Sequence, residues 1–250
     1  MRREILAELA ACVERPETVV LATVVGGEGM GRQMLIWPRG ETFGDLGSPR
    51  LNQRAALFAE QITPDLQSGR KTFRWDAKDI DVFFEVYSPP SEVVIIGAVH
   101  VAVPLVSLAK ILGFRAIVID PRAAFATVER FEHADLVLNL WPDQAFEEVR
   151  LHEASCLVVL SHDMKIDLPA LVAGLRSPCR YLGALGSRKT HGKRIEALFE
   201  SGFSAAEIDR IHAPIGFDLG GRKAEEIALA IMAEVVAAGY GRPTGRNISG

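Results

Sequence analysis

Val93-Val94-Ile95-Ile96-Gly97-Ala98-Val99-His100-Val101-Ala102 is the stretch that decides the fold. A short, wholly apolar run stops at a glycine. A segment of helical length follows, about Val101–Leu112, closed by Gly113. Continuous rather than alternating apolar character marks a strand covered on both faces, as in the middle of a parallel sheet. A glycine just past the last helical residue is a stop signal. Strand, tight turn and helix together make the first half of a βαβ unit.

The same pattern continues downstream. Arg115–Asp120 (RAIVID), Ala134–Leu140, Cys156–Leu160 and Tyr181–Leu185 read as strands. Leu168–Leu175, Lys189–Glu200, Ala205–Arg210 and Ala224–Ala238 read as helices, and the Gly-rich tail 241–250 as mobile. Strands alternating with helices imply right-handed crossovers and a mostly parallel sheet. Upstream, Ser88-Pro89-Pro90-Ser91 reads as a linker, because paired prolines continue neither element. Before it stand an amphipathic helix with Ile5, Leu6, Leu9 and Val13 at helical spacing, a strand Val19–Val25, shorter strands at Gln33–Trp37 and Thr42–Asp45, a helix Leu51–Ile62, and strands Lys71–Trp75 and Ile80–Val86. The expectation is an α/β protein: a Rossmann-like parallel-sheet domain over 89–250, preceded by a smaller α+β domain over 1–88.

Composition narrows the function classes. Net charge is −4 and no Lys/Arg-rich block appears, so the basic stripe needed to bind a nucleic-acid backbone is missing. No apolar run reaches the length of a membrane span, and the N-terminus lacks the apolar core of a signal peptide. Three cysteines without paired spacing give neither a disulfide framework nor a CxxC metal site, and a cytoplasmic location is expected.

The candidate site residues fall at strand ends. The first turn has Gly97 and Ala102 of a dinucleotide fingerprint, but Val99 where the middle glycine lets a pyrophosphate approach. His100, at the start of the following helix, is placed to meet an anion there. Asp120 ends the second strand, about twenty residues on, where such folds bind ribose hydroxyls, and Arg122 adds a cation. Ser161-His162-Asp163 follows the strand CLVVL; His162 and Asp163 are candidates for proton transfer, or Asp163 for a plain helix cap. Gly186-Ser187-Arg188 runs from a strand into a helix start, joining amides, a hydroxyl and a guanidinium in a phosphate or carboxylate cradle; N-capping by Ser187 is the bland alternative. The stretch Ile211–Gly221 holds His212, Pro214, Asp218 and three glycines, more special backbone positions than a plain surface loop requires. His100, His162 and His212 are too widely spaced to diagnose a metal site.

These residues carry a resemblance. IIGAVHVAVPL, VIDPR followed by FAT and ERF, VVLSHD, YLGALGSRKT and IHAPIGFDLGGRKAEEIA, in this order, resemble the XdhC/CoxI family of accessory proteins for molybdenum hydroxylases. ATVVGGEGMGRQMLI and GDLG resemble that family's other domain. The resemblance implies a maturation chaperone that binds molybdenum cofactor (molybdopterin), protects it while its sulfido ligand is installed, and delivers it to a xanthine dehydrogenase-type apoenzyme. A cysteine desulfurase is the implied sulfur source. It also implies that Gly97, His100, Asp120, Arg122, Gly186, Ser187 and Arg188 hold the ligand, that His162, Asp163, His212 and Asp218 line the cleft, and that Arg32 reaches in from the first domain. Two departures stand out: the family turn GAGH is here Gly97-Ala98-Val99-His100, and the family's GGG or GGC is here Leu46-Gly47-Ser48-Pro49, without a cysteine.

Two other functions stay open on the residues: an NAD(P)-dependent oxidoreductase with a degenerate turn, and a partner-binding scaffold. Homodimerisation is expected, since an antiparallel domain with an open edge favours a partner.

Overall fold

The computed structural model describes residues 3–15, 17–63, 68–75 and 78–242. The tail from 243 onward lies outside them. The chain divides into two compact units, Met1–Pro89 and Pro90–Gly250.

The first unit holds α1 (Arg3–Glu14), β1 (Val19–Gly26), β2 (Gln33–Ile36), β3 (Thr42–Gly44), α2 (Pro49–Ile62), β4 (Gly69–Trp75) and β5 (Lys78–Tyr87). The strands form one antiparallel sheet in the order β3-β2-β1-β5-β4. β1 explains why VVLATVV is apolar throughout: Val20, Ala22 and Val24 pack in the cluster containing Leu51, Ala55 and Ala59 of α2, while Val19 and Leu21 face Ile5, Leu9 and Cys12 of α1. Both faces are covered. The face of α1 differs from the expectation, because Leu6 and Val13 are exposed and Cys12 is buried instead. The first residue of α2 is Pro49, with Ser48 as its cap, its hydroxyl accepting the Leu51 N–H at 3.2 Å. Ser48-Pro49, the departure from the family pattern, is thus a helix start.

The second unit contains β6 (Glu92–Ile96), α3 (Ala102–Ile111), β7 (Arg115–Ile119), β8 (Leu136–Leu138), α4 (Pro142–Glu148), β9 (Ser155–Val159), α5 (Met164–Arg176), β10 (Tyr181–Ala184), α6 (Arg188–Glu200), α7 (Ala205–Ile208), β11 (Ile211–His212) and α8 (Ala224–Gly239). All six strands are parallel, in the order β11-β10-β9-β6-β7-β8. This is the expected Rossmann-like architecture. Alternate residues of β6 face two cores: Val93 and Ile95 pack with α3 and α8, Val94 and Ile96 with α4 and α5. The end of α3 is a Schellman motif, in which Gly113 (φ +81°) donates to Lys110 and Phe114 to Ala109.

Three elements differ from the sequence reading. α5 begins at Met164, before the expected Leu168, and carries Pro169 inside it. α4 begins at Pro142, after its cap Trp141, where no helix was expected; its seven residues are too short to show a period. Ile211–His212 is a two-residue parallel strand, not loop.

Candidate functional site at the carboxyl edge of the parallel sheet

The chain leaves β6 toward β7 and β8 and later returns to β9 on the other side of β6. That reversal is a topological switch point at the carboxyl ends of β6 and β9, the position where open α/β sheets bind ligands. Gly97 follows β6, Asp120 and Arg122 follow β7, His162 and Asp163 follow β9, Gly186, Ser187 and Arg188 follow β10, and His212 ends β11. Parallel topology therefore brings all of them to one edge. The helices after these strands also begin there, with the positive ends of their dipoles. His100, His162 and Asp218 are exposed. Asp218 accepts the Gly220 N–H at 3.0 Å, bracing its own loop.

Gly97 has no alternative at its position. Its φ is +102°, and a Cβ would stand 2.8 Å from the backbone nitrogen of Ser161. β6 and β9 thus come close at this switch point. The next amide, Ala98 N–H, donates to Asp120 Oδ2 at 2.7 Å. Val99 is half-buried and packs against the core.

Asp120 is completely buried. Its Oδ1 accepts the Arg122 backbone N–H and Nε–H, both at 2.9 Å, and its Oδ2 accepts Arg122 Nη2–H at 2.7 Å. Burial alone would raise this carboxyl's pKa. The bonds from Arg122 and from the Ala98 and Arg122 amides outweigh it and hold the carboxyl below the usual range. The outer face of the Arg122 guanidinium lies 4.5 Å from the Phe125 ring centroid. Asp163, the N-cap of α5, adds a negative charge within reach of Arg122.

At α6 the Ser187 hydroxyl accepts the Thr190 N–H at 3.2 Å, so the cap reading is correct for that donor. Gly186 has φ +147°. The Arg188 side chain lies outside what is described. Beneath the turn sits an ion pair that the sequence did not reveal: Arg194 with Asp167, both fully buried. Arg194 Nε and Nη2 donate to Asp167 Oδ2 at 3.0 and 2.5 Å. Nη2 also donates to the carbonyls of Ser161 at 3.1 Å and Leu185 at 2.9 Å, tying the ends of β9 and β10 together. Burial pushes the Asp167 carboxyl up, and Arg194 pulls it back only in part.

His212 has a similar hidden partner. Its Nδ1 lies 3.0 Å from Glu234 Oε1, and Glu234 Oε2 accepts Tyr181 O–H at 2.5 Å and Gly216 N–H at 2.6 Å. Burial raises the Glu234 carboxyl; the bonds from His212, Tyr181 and Gly216 outweigh it and leave the pKa low. An ionised Glu234 calls for a proton on Nδ1, which leaves Nε2 for other work. The signal for Glu234 was in the sequence: a lone acid inside the apolar run AIMAEVVAA, where an uncompensated charge is costly.

In the first unit Arg32 donates to Asp45 Oδ2 at 2.6 Å, and Asn52 and Gly47 donate to Asp45 Oδ1 at 3.0 and 3.1 Å. Those bonds, with Asn52 first, hold the Asp45 carboxyl low. Arg32, Gly47, Ser48 and Ile80 line a cavity of about 210 Å³. All three cysteines are buried, and burial pushes the Cys156 thiol up to about 12. Among the described residues no three His, Cys, Asp or Glu side chains gather to hold a metal ion, and no helix is long and apolar enough to cross a membrane.

The XdhC Rossmann domain family matches residues 93–235, and the XdhC and CoxI family matches residues 12–75. The molybdenum cofactor insertion chaperone PaoD of Escherichia coli (strain K12) is 37% identical over 101 residues, 40% of this chain and 31% of that protein. A probable xanthine dehydrogenase component of Bacillus subtilis (strain 168) is 28% identical over 156 residues, 62% of this chain and 45% of that one. The uncharacterized protein YqeB of Escherichia coli (strain K12) is 26% identical over 257 residues, 96% of this chain and 47% of that protein. The chain thus spans less than half the length of each of these relatives. A Bacillus halodurans xanthine dehydrogenase structure shares the fold at TM-score 0.54 and 18% identity, covering 98% of this chain and 97% of that one. With two family matches spanning both units, one of them over more than half its length, the chain belongs to the XdhC and CoxI family.

Proposed function

We propose that this protein is an accessory chaperone that binds molybdenum cofactor at the carboxyl edge of its parallel sheet and hands it to a xanthine dehydrogenase-type molybdenum hydroxylase. One contrast carries the reading. The edge offers helix-start amides, hydroxyls and cations, while Asp120, the acid in the ribose-binding position, is sealed and fully bonded. That donor set fits the phosphorylated, anionic end of a pterin cofactor. It fits a nicotinamide dinucleotide less well, because the ribose acceptor is occupied and Val99 replaces the close-approach glycine. The chaperone name of PaoD and the xanthine dehydrogenase name of another relative support the same reading.

Gly97 lets β6 and β9 close at the head of the site, Gly186 gives the ligand access to backbone, Ser187, Arg188 and Arg122 supply donors, and His100 and His162 stand beside it; His212, pinned by Glu234, and Asp218 border the cleft. Asp120 acts through Arg122 and the Ala98 turn. Arg32 belongs to the role of the first domain, residues 1–88, with 89–250 as the cofactor domain. When bound, the cofactor supplies molybdenum chemistry to the client, and the chaperone itself performs no turnover. The cysteine desulfurase partnership and cytoplasmic setting follow from the family resemblance. The homodimer rests on β3 and β4, the two edges of the antiparallel sheet.

The test is retention. Purified protein is mixed with molybdenum cofactor and, separately, with NAD(H), then desalted and assayed for what stays bound. Cofactor retained and NAD(H) released is the expected result. Retention of NAD(H) alone would transfer the assignment to an oxidoreductase, and retention of neither would leave a scaffold.

A further inference from the structure

Arg194 is entirely buried, yet its Nη1 has no hydrogen-bond partner. Buried donors are almost always satisfied, and a charged one left bare costs folding free energy, so the exception asks for an explanation. Its surroundings supply one. A Cβ built at Gly186 would come within 3.3 Å of Nη1, so the bare nitrogen lies directly beneath the Gly186–Ser187 turn. That turn opens the thirteen-residue α6, whose first turn carries Arg188 and Lys189 and no acid. Cations at a helix start oppose the dipole, an arrangement that an added anion would relieve. The other two nitrogens of Arg194 are fixed by Asp167, Ser161 and Leu185, so Nη1 is held in place with no further ordering cost.

We propose that Arg194 is the donor with which this domain reads a phosphate group, taken up at the first turn of α6 through Nη1 and the amides of Arg188 and Lys189. The inference rests on the cofactor reading and assigns the phosphate end of that ligand to α6. Gly186 covers Nη1, and as a glycine its backbone turns aside most readily to admit an oxygen. Asp167 is the positioning residue that fixes the guanidinium plane.

The full-length protein is titrated with inorganic phosphate at constant ionic strength, with chloride as the control, while ¹⁵N resonances of the Arg194 side chain and of the 186–189 amides are followed. Both sets are expected to shift with phosphate and not with chloride. Gly186→Ala, which leaves the Arg194–Asp167 pair intact, is expected to weaken phosphate about 10–100-fold, the worth of one charge-assisted hydrogen bond. Arg194→Lys, checked for folding by circular dichroism, is expected to do the same. Amide shifts without movement of Arg194, undiminished binding in Gly186→Ala, or no phosphate response in the native protein would each overturn the inference. Molybdenum cofactor retention is measured on the same preparations: cofactor held without an Arg194 response sinks this inference alone, and an Arg194 response without cofactor retention sinks the cofactor reading alone.

Discussion

Two aspartate–arginine pairs stand at the same edge of the same sheet, and they are built in opposite ways. At β7 the acid is the buried partner: Asp120 is saturated by four donors, and Arg122 remains 42% exposed above it. Behind β9 and β10 the base is buried as well: Arg194 is 0% exposed and keeps one nitrogen unbonded. A saturated carboxylate closes a position to ligands. A rigid guanidinium with a spare donor keeps one open. In a dinucleotide site the strand-end acid would instead be the group on offer.

The largest effect expected from this contrast comes from removing each arginine. Arg194→Met leaves Asp167 buried and uncompensated, and the second unit is expected to lose about 3–5 kcal/mol in urea unfolding. Arg122→Met leaves Asp120 its two backbone donors and removes a half-exposed group, so a loss of about 1–2 kcal/mol is expected. Equal losses would show that the two pairs do the same structural work. Replacing the Arg194 pair as a unit, Arg194→Met with Asp167→Leu, is expected to recover most of the stability, since an apolar pair avoids the desolvation of both charges.

What a single sequence shows of this fold and site follows from which interactions leave a pattern. The parallel strands were legible because burial on both faces makes VVIIG and CLVVL continuously apolar. The edge residues were legible because topology puts strand ends together whatever the side chains do. Arg194 was hidden, since it sits in RKTHGKRIEALFE, where another cation looks like a solvated face. Asp167 was hidden because Pro169 makes that helix read as starting at Leu168, which leaves Asp167 as a polar residue just outside it. β11 was hidden because two residues carry no period. Long-range pairing between charged side chains has no signature in a single sequence, and the distinctive part of this site is made of it.

Acid sharpens the contrast with a smaller effect. Asp120 has its pKa lowered by folding, so its stabilisation is present above the unfolded carboxylate value, about 3.9, and is lost as pH falls through the lower folded value. Asp167 has its pKa raised by burial, so its contribution runs the other way, weakening the fold as pH rises from the unfolded value toward the folded one. Asp120→Asn is therefore expected to flatten the acid limb of stability against pH, measured by urea unfolding between about pH 5 and 2. An unchanged slope would mean that other carboxylates with the same sign, such as Glu92 and Glu234, dominate that limb.

The smallest expected effect tests how the half-exposed arginine is held. The Arg122 guanidinium has its carbon 4.5 Å from the Phe125 ring centroid, and Phe125 is itself 42% exposed. A cation–π contact at an exposed site is worth about 0.5–1 kcal/mol, and Phe125→Leu keeps most of the apolar area while removing the ring's negative face. A loss of about 0.5 kcal/mol is expected in the native protein, and none once Arg122 is already Met, so the double-mutant cycle isolates the contact. Coupling near zero would show that Asp120 alone orients Arg122. In that case displacing Phe125 costs nothing, and a ligand arriving at the sheet edge meets a cation already fixed by Asp120. Coupling of the expected size means instead that an incoming anion must compete with Phe125 for that face, while the donor under Gly186 meets no such competitor.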